Sequence, residues 1–147
     1  MSWHEDFQPL GHSGILAVGW LEFDHAYAKG EVGEEFAHAL AGLLVDPWQA
    51  APPARFHRCD FCRFSWGPVF VSVAGLSIQI GNRILFVPDG PRLFAAPSMI
   101  LHYVDAHEYA PPVEFQQAVL RCPTMKSPAY EKAIARFAPF LKKLDPA

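Results

Sequence analysis

The spacing of apolar positions changes along the chain, and each change indicates a new element. Residues 14–24 mix β-branched, aromatic and aliphatic side chains, which favours a first strand. After Gly30 the apolar positions recur at helical spacing behind an acidic first turn, so a helix is expected there and should end at Pro47. Its apolar stripe consists of Val32, Phe36, Leu40, Leu43 and Leu44.

Alternating apolar and polar positions dominate the middle of the chain. Residues 69–73 and 76–80 both alternate, and Ala74 and Gly75 between them suit a turn, so a β-hairpin is predicted. Residues 84–87 offer a further strand between two turn signals. The simplest assembly of these segments is a three-stranded antiparallel meander.

Three more helices are predicted in the last third of the chain. Pro97 suits the first position of a helix that runs to about His107, and the proline pair at 111–112 ends it and opens the next. Ser127 is the expected cap of a last helix, which Pro139 should kink or break. This order of elements predicts the α+β class, with a small β-meander packed against about four helices.

The chain length and composition suit one domain. With 147 residues, 51% of them apolar or aromatic, residues 1–147 can bury a core as a single domain. Three cysteines cannot form a closed disulfide framework and no basic leader is present, so we expect a cytoplasmic protein. Residues 64–82 carry no charge, but their glycines, proline and alternating polar positions suit strands better than a membrane span.

Charge is unevenly distributed along the chain. Residues 1–120 carry 6 basic and 13 acidic side chains, whereas residues 121–147 carry 6 basic and 2 acidic ones. A basic C-terminal segment could bind a nucleic acid or an acidic partner. Basic side chains on helices, however, more often form a face that is simply exposed to solvent. We therefore expect a macromolecular partner that is a protein rather than a nucleic acid.

Two cysteines and two histidines form a candidate zinc site. Cys59 and Cys62 are separated by two residues, a spacing that lets both thiolates reach one ion from a tight turn. His102 and His107 are separated by four residues, within the range of the histidine pair in Cys2His2 sites. Cys122 stands apart from these residues and is expected to be a buried structural thiol.

The geometry of the histidine pair sets a condition on the helix that carries it. Positions five apart on a regular helix point about 140° from each other, so His102 and His107 can share an ion only if the helix tightens or unwinds near residues 105–107. His57 lies two residues before Cys59 and could replace either distal histidine as a ligand.

The separation between the two halves of the site excludes a small DNA-reading finger. The interval of 39 residues, from Arg63 to Leu101, is far longer than the dozen or so of such a finger. A cysteine knuckle, a hairpin and a ligand-bearing helix are loosely similar to the treble-clef arrangement of zinc domains. That arrangement places ligands in the first turn of the helix, whereas His102 would lie in the second.

Four segments resemble a group of small uncharacterised bacterial proteins. They are Phe56–Cys62, with its His-x-Cys-x-x-Cys pattern, Ile84–Pro88, Phe94–Val104 and His107–Phe115, so the resemblance covers about residues 56–120. It implies that His57, Cys59, Cys62, His102 and His107 belong to the pattern of the group. It also implies a bacterial cytosolic protein, and it brings no known activity.

Two functions are compatible with this site. A closed Cys2His2 zinc that ties the cysteine turn to a helix needs no substrate, and two thiolates weaken the Lewis acidity of the ion. We therefore expect structural zinc in a binding or adaptor module rather than an enzyme. The alternative is a zinc-dependent hydrolase with an open coordination position, in which Asp60, Asp105 or Glu108 could serve as general base.

Overall fold

The computed structural model describes residues 3–52, 56–62 and 67–144. Within these ranges the chain forms five strands and five helices. In chain order they are β1 Ile15–Ala17, α1 Glu34–Leu44, β2 Phe70–Val73, β3 Leu76–Gln79, β4 Ile84–Asp89, β5 Arg92–Pro97, α2 Ile100–Ala106, α3 Val113–Arg121, α4 Pro128–Ile134 and α5 Ala138–Leu141. This content confirms the α+β class.

A three-stranded sheet lies at the centre of the fold, with strand order β1-β5-β4. β4 and β5 are antiparallel and pair from Ile84 with Pro97 to Asp89 with Arg92. The connecting loop is only two residues long and starts with Gly90, whose φ of 59° suits the first position of a tight hairpin turn. β1 runs parallel to β5 on its other side.

Both faces of the central sheet are buried. Along β5, Phe94 and Ala96 face one core cluster together with α1, α2 and α3, whereas Leu93 and Ala95 face a second cluster with α4 and α5. The same alternation holds along β4. The sheet is therefore a middle layer between two layers of helices, and its strands are apolar at nearly every position.

The predicted three-stranded meander is wrong, although the hairpin within it is confirmed. β2 and β3 pair with each other, from Phe70 with Gln79 to Val73 with Leu76, and they form a separate two-stranded sheet. β4 instead pairs with β5, a strand that the sequence analysis missed. The physical reason is that β4 can bury both of its faces only in the central layer, where β5 and the two helix layers surround it.

Most helix predictions hold with small shifts at the ends, but α2 begins at Ile100 and not at Pro97, which is the last residue of β5. α1 begins at Glu34, and its buried residues include Phe36, Leu40 and Leu44 from the predicted stripe. α4 has the predicted cap, because Ser127 Oγ accepts a hydrogen bond of 3.2 Å from the amide of Tyr130. The break expected from Pro139 is also present, since α4 ends before this residue and α5 starts one residue ahead of it.

The uncharged stretch at residues 64–82 contains the β2–β3 hairpin, while its first three residues lie outside the described ranges. No helix in the described parts of the chain combines the length and the hydropathy needed to cross a bilayer.

The segment before β1 is attached to the rest of the fold through a half-buried carboxyl group. Asp6 accepts hydrogen bonds from the Tyr109 hydroxyl, at 2.8 and 3.0 Å, and from the Gly19 amide at 3.0 Å. Burial raises the pKa of the Asp6 carboxyl from 3.8, and the hydrogen bonds from these two donors only partly oppose that effect. The folded state therefore favours the protonated form of Asp6 more than the unfolded state does.

We expect Asp6→Asn to remove a pH dependence of stability. Because the pKa of Asp6 is raised on folding, its contribution to stability is complete below pH 3.8 and is lost as the pH rises through the higher folded value. Urea titrations across this window should show the stability of the native protein falling relative to that of the variant as pH rises. If the native protein instead became more stable relative to the variant as the pH rises, this description of Asp6 would be contradicted.

Candidate metal centre

The two cysteines lie in a tight turn, residues 59–62, which we call the knuckle. The Cys62 amide donates to the Cys59 carbonyl at 3.4 Å, which closes the turn. Cys59 is fully buried and Cys62 is half-buried. Gly67 packs so closely on Cys59 that a Cβ atom on this glycine would lie 2.7 Å from the Cys59 Cβ atom.

One glycine, Gly81, joins the residues just before the knuckle to the residues just before α2. The carbonyl oxygen of Gly81 accepts a hydrogen bond of 2.6 Å from the His57 amide, and the amide of Gly81 donates to Ser98 Oγ at 2.8 Å. Gly81 has a φ of 105°, and a Cβ atom there would meet the His57 carbonyl oxygen at 2.9 Å. A glycine is therefore required at this junction.

The histidines are carried by α2 and by the residue that ends it. His102 lies within the helix and is 4% exposed. His107 is the C-cap, with φ −122° and ψ 17°, so it has left the helical conformation. The amides of His107 and Tyr109 both donate to the Tyr103 carbonyl, at 3.0 and 3.2 Å. The early helix end that a shared ion requires is therefore confirmed.

Four side-chain atoms converge at the end of α2. The Nε2 atoms of His102 and His107 are 3.2 Å apart, Cys62 Sγ lies 3.3 and 3.5 Å from them respectively, and Cys59 Sγ lies 3.4 Å from His107 Nε2. All four ligand atoms lie within 4.8 Å of one another. Cys59, Cys62, His102 and His107 are thus positioned to bind one metal ion.

Burial shifts the pKa of Cys59 and of the two histidines. It raises the pKa of the Cys59 thiol to about 11 and is the largest cause of that shift. It also lowers the pKa of both imidazoles, assisted for His102 by the neighbouring His107 and for His107 by Lys29. The histidines are therefore neutral near pH 7, the form in which imidazole binds metal, and a bound cation would stabilise the thiolate form of Cys59.

An aromatic layer covers one side of the four ligands. Phe61, inside the knuckle, contacts the His107 ring at 5.3 Å and the Tyr103 ring at 5.9 Å between centroids. Tyr27 packs edge-on against Phe61 at 5.4 Å, and its hydroxyl donates to the His107 carbonyl oxygen at 2.8 Å. Tyr27 could not be identified from the sequence, because it lies 80 residues before His107 and no local pattern connects the two.

The remaining candidates lie outside the four-residue group. His57 is not a member of it; its Nε2 atom is buried and has no described hydrogen-bond partner. Cys122 is half-buried and separate from the site, and burial raises the pKa of its thiol to about 11.

A second group of potential ligand atoms, from Glu22, Asp24 and His25, lies at the surface. It contains no fully buried residue, and such exposed acidic groups are common without an ion.

The comparisons with known proteins identify a family but no activity. A family model described as a domain of unknown function (DUF7919) matches residues 2–120, which include all four converging residues. Neither the curated proteins nor the solved structures yield a match.

We expect Gly67→Ala to weaken metal binding specifically. Gly75→Ala is the matched control, because both glycines have a φ near 80° but a Cβ atom on Gly75 would meet nothing within 4 Å. Both variants should lose about 1–2 kcal/mol of unfolding free energy from the left-handed backbone. Only Gly67→Ala displaces Cys59, so only this variant should bind cobalt(II) more weakly in a spectroscopic titration. Equal cobalt affinities would contradict the proposed contact.

Proposed function

Because the chain belongs to the DUF7919 family of domains of unknown function, which assigns no activity, we propose a function from the geometry of the four converging side chains. The proposal is a structural zinc centre in a binding or adaptor module. Zinc would join the knuckle to the end of α2 and hold the surface around them in one conformation. The observation that carries the proposal is the set of distances among the four ligand atoms.

Those distances agree with the edges of a tetrahedron around one zinc ion. Zn–S bonds of about 2.3 Å and Zn–N bonds of about 2.05 Å give edges of about 3.6 Å between sulfur and nitrogen and about 3.3 Å between two nitrogens. Three of the four sulfur–nitrogen separations are 3.3–3.5 Å, and the nitrogen–nitrogen separation is 3.2 Å. Two thiolates and two imidazoles in a tetrahedron suit zinc, and the compact spacing favours a single ion over an iron–sulfur cluster.

Several features support a structural role for this zinc. Four protein ligands complete the tetrahedron, whereas a catalytic zinc keeps one position for water. Cys59 and His102 are buried, so the ion would have little access to a substrate on that side.

The carboxylates weighed as general bases in the alternative hydrolase, Asp60, Asp105 and Glu108, all belong to exposed residues. The hydrolase is therefore the weaker proposal.

The surface beside the centre supports a protein partner. An open groove of about 360 Å³ is lined in part by Phe23, Tyr27 and Phe61, and Phe23 is 69% exposed. Aromatic side chains at a groove suit the apolar residues of another protein.

Three cationic side chains of the basic C-terminal segment have partners among the described residues. Arg121 pairs with Asp89, Lys126 pairs with Asp46, and Arg136 donates to the Gly90 carbonyl. These partners leave less positive charge available for a nucleic acid.

We keep the bacterial cytoplasm as the proposed location, because thiolate ligands persist in a reducing compartment.

We expect purified native protein to contain one zinc per chain. Cys59→Ser should lose most of this zinc because the hydroxyl is a much poorer ligand, whereas Cys122→Ser should keep it because Cys122 lies outside the group. Metal analysis of the three proteins, together with their thermal unfolding, tests this expectation. Absence of zinc from the native protein, or equal zinc in both variants, would refute the centre.

Removal of zinc should have a local effect. A chelator is expected to accelerate amide exchange in residues 56–62 and 100–110, while α1 keeps its protection because its packing on α3 does not involve the ion. Global loss of protection would indicate that the whole fold depends on the metal.

Cobalt substitution should separate the structural proposal from the hydrolase. A site closed by two thiolates and two imidazoles should give an intense tetrahedral visible spectrum that does not respond to added azide or cyanide. A spectrum that changes on addition of these anions would indicate an open position and would favour the enzyme.

A further inference from the structure

The orientation of His107 depends on an unusual backbone turn. On an uninterrupted helix this side chain would point about 140° away from His102. Instead α2 ends at Ala106, and the next two residues form a turn in which His107 has ψ 17° and Glu108 has φ 57°. His107 also has a φ of −122°, and this rotation about its N–Cα bond moves its Cβ atom and its carbonyl carbon together away from their helical positions. A contact that holds the His107 carbonyl group therefore also restrains the direction of the imidazole.

The conformation of Glu108 has to be maintained by contacts outside its own side chain. A positive φ is uncommon for residues other than glycine, because Cβ then crowds the backbone. Glu108 is exposed, so burial of its side chain does not hold it there. The turn at residues 107–110, which we call the cap turn, therefore requires external support.

That support comes from residues 27–30, which we call the strap. The Gly30 amide donates to the Glu108 carbonyl at 3.0 Å, and the Ala110 amide donates to the Ala28 carbonyl at 3.0 Å. Between these two bonds Lys29 forms an antiparallel bridge with Tyr109. The strap and the cap turn are thus paired like two very short strands.

Tyr27 makes the bond that acts directly on the metal ligand. Its hydroxyl donates to the carbonyl oxygen of His107 at 2.8 Å, and that oxygen belongs to the peptide group whose orientation sets the turn. The Tyr27 ring also packs against Phe61, which lies between the two cysteines. One side chain therefore contacts both halves of the candidate centre without contributing a ligand atom.

We propose that Tyr27 is the positioning residue of the metal centre, acting through the His107 carbonyl, and that metal binding and docking of the strap stabilise each other. This inference rests on the proposed zinc centre. Partners outside the ligand shell that orient metal ligands commonly change affinity by about 10–100-fold when they are removed. Loss of the Tyr27 hydroxyl is expected to lower zinc affinity toward the lower end of this range.

The test compares Tyr27→Phe with Tyr130→Phe. Each variant keeps the ring and loses one hydroxyl that donates to a backbone carbonyl, that of His107 or that of Phe86. Zinc affinity is measured by competition with a chromophoric chelator at fixed pH. Tyr27→Phe should bind zinc about 10-fold more weakly, and Tyr130→Phe should bind it as tightly as the native protein even if its melting temperature falls.

A second variant separates positioning from general destabilisation. Glycine adopts a positive φ without the crowding of a Cβ atom, so Glu108→Gly should make the cap turn easier to form. Added to Tyr27→Phe, it should restore part of the lost zinc affinity. In the native protein, zinc should also slow exchange of the Gly30 and Ala110 amides, which join the strap to the cap turn.

The outcomes distinguish this inference from the proposed function. If the native protein binds zinc and Tyr27→Phe binds it equally well, the role of Tyr27 is refuted while the zinc centre stands. An equal loss of affinity in Tyr130→Phe would also refute it, because a general loss of stability would then explain both variants. If the native protein binds no zinc, the proposed function itself fails.

Discussion

The two-sided burial of β5 is the constraint on which the rest of the structure depends. Its residues face helices on both sides, and it pairs with β1 at one edge and β4 at the other. α2 starts three residues after this strand, so the position of His102 follows from a strand held on every side. α2 is therefore the part of the candidate metal centre whose position is fixed by the core, and the knuckle and the cap turn pack against it.

The same constraint explains which parts of the fold were predictable. The β2–β3 hairpin has exposed positions in both strands, so its sequence alternates and the pairing could be predicted. The apolar run at residues 93–96 does not alternate, because both faces of β5 are buried, and such a run has no period that identifies a strand. Capping residues such as Ser127 act locally, and for that reason the helix predictions were more accurate than the strand pairing.

The candidate site shows a similar division. Cys59, Cys62, His102 and His107 could be selected from the sequence because few roles combine these residue types at these spacings. The requirement for an early end of α2 followed from helical geometry alone. The residues that meet this requirement were not predictable: Tyr27 is far away along the chain, and a glutamate in the left-handed region carries no sequence signal.

The two hydrogen bonds of Gly81 change how much chain the metal has to order. Counted along the sequence, an ion joining Cys59 to His102 would close a loop of more than 40 residues. Gly81 already links His57 to Ser98 through its two hydrogen bonds. Cys59 lies only two residues after His57, and His102 lies only four residues after Ser98, so the metal has to order only these short segments. Since the entropy of closing a loop grows with its length, most of that entropy has been lost before any ion arrives. Less of the free energy of metal binding is then needed to offset the entropy of loop closure, so the metal can bind more tightly.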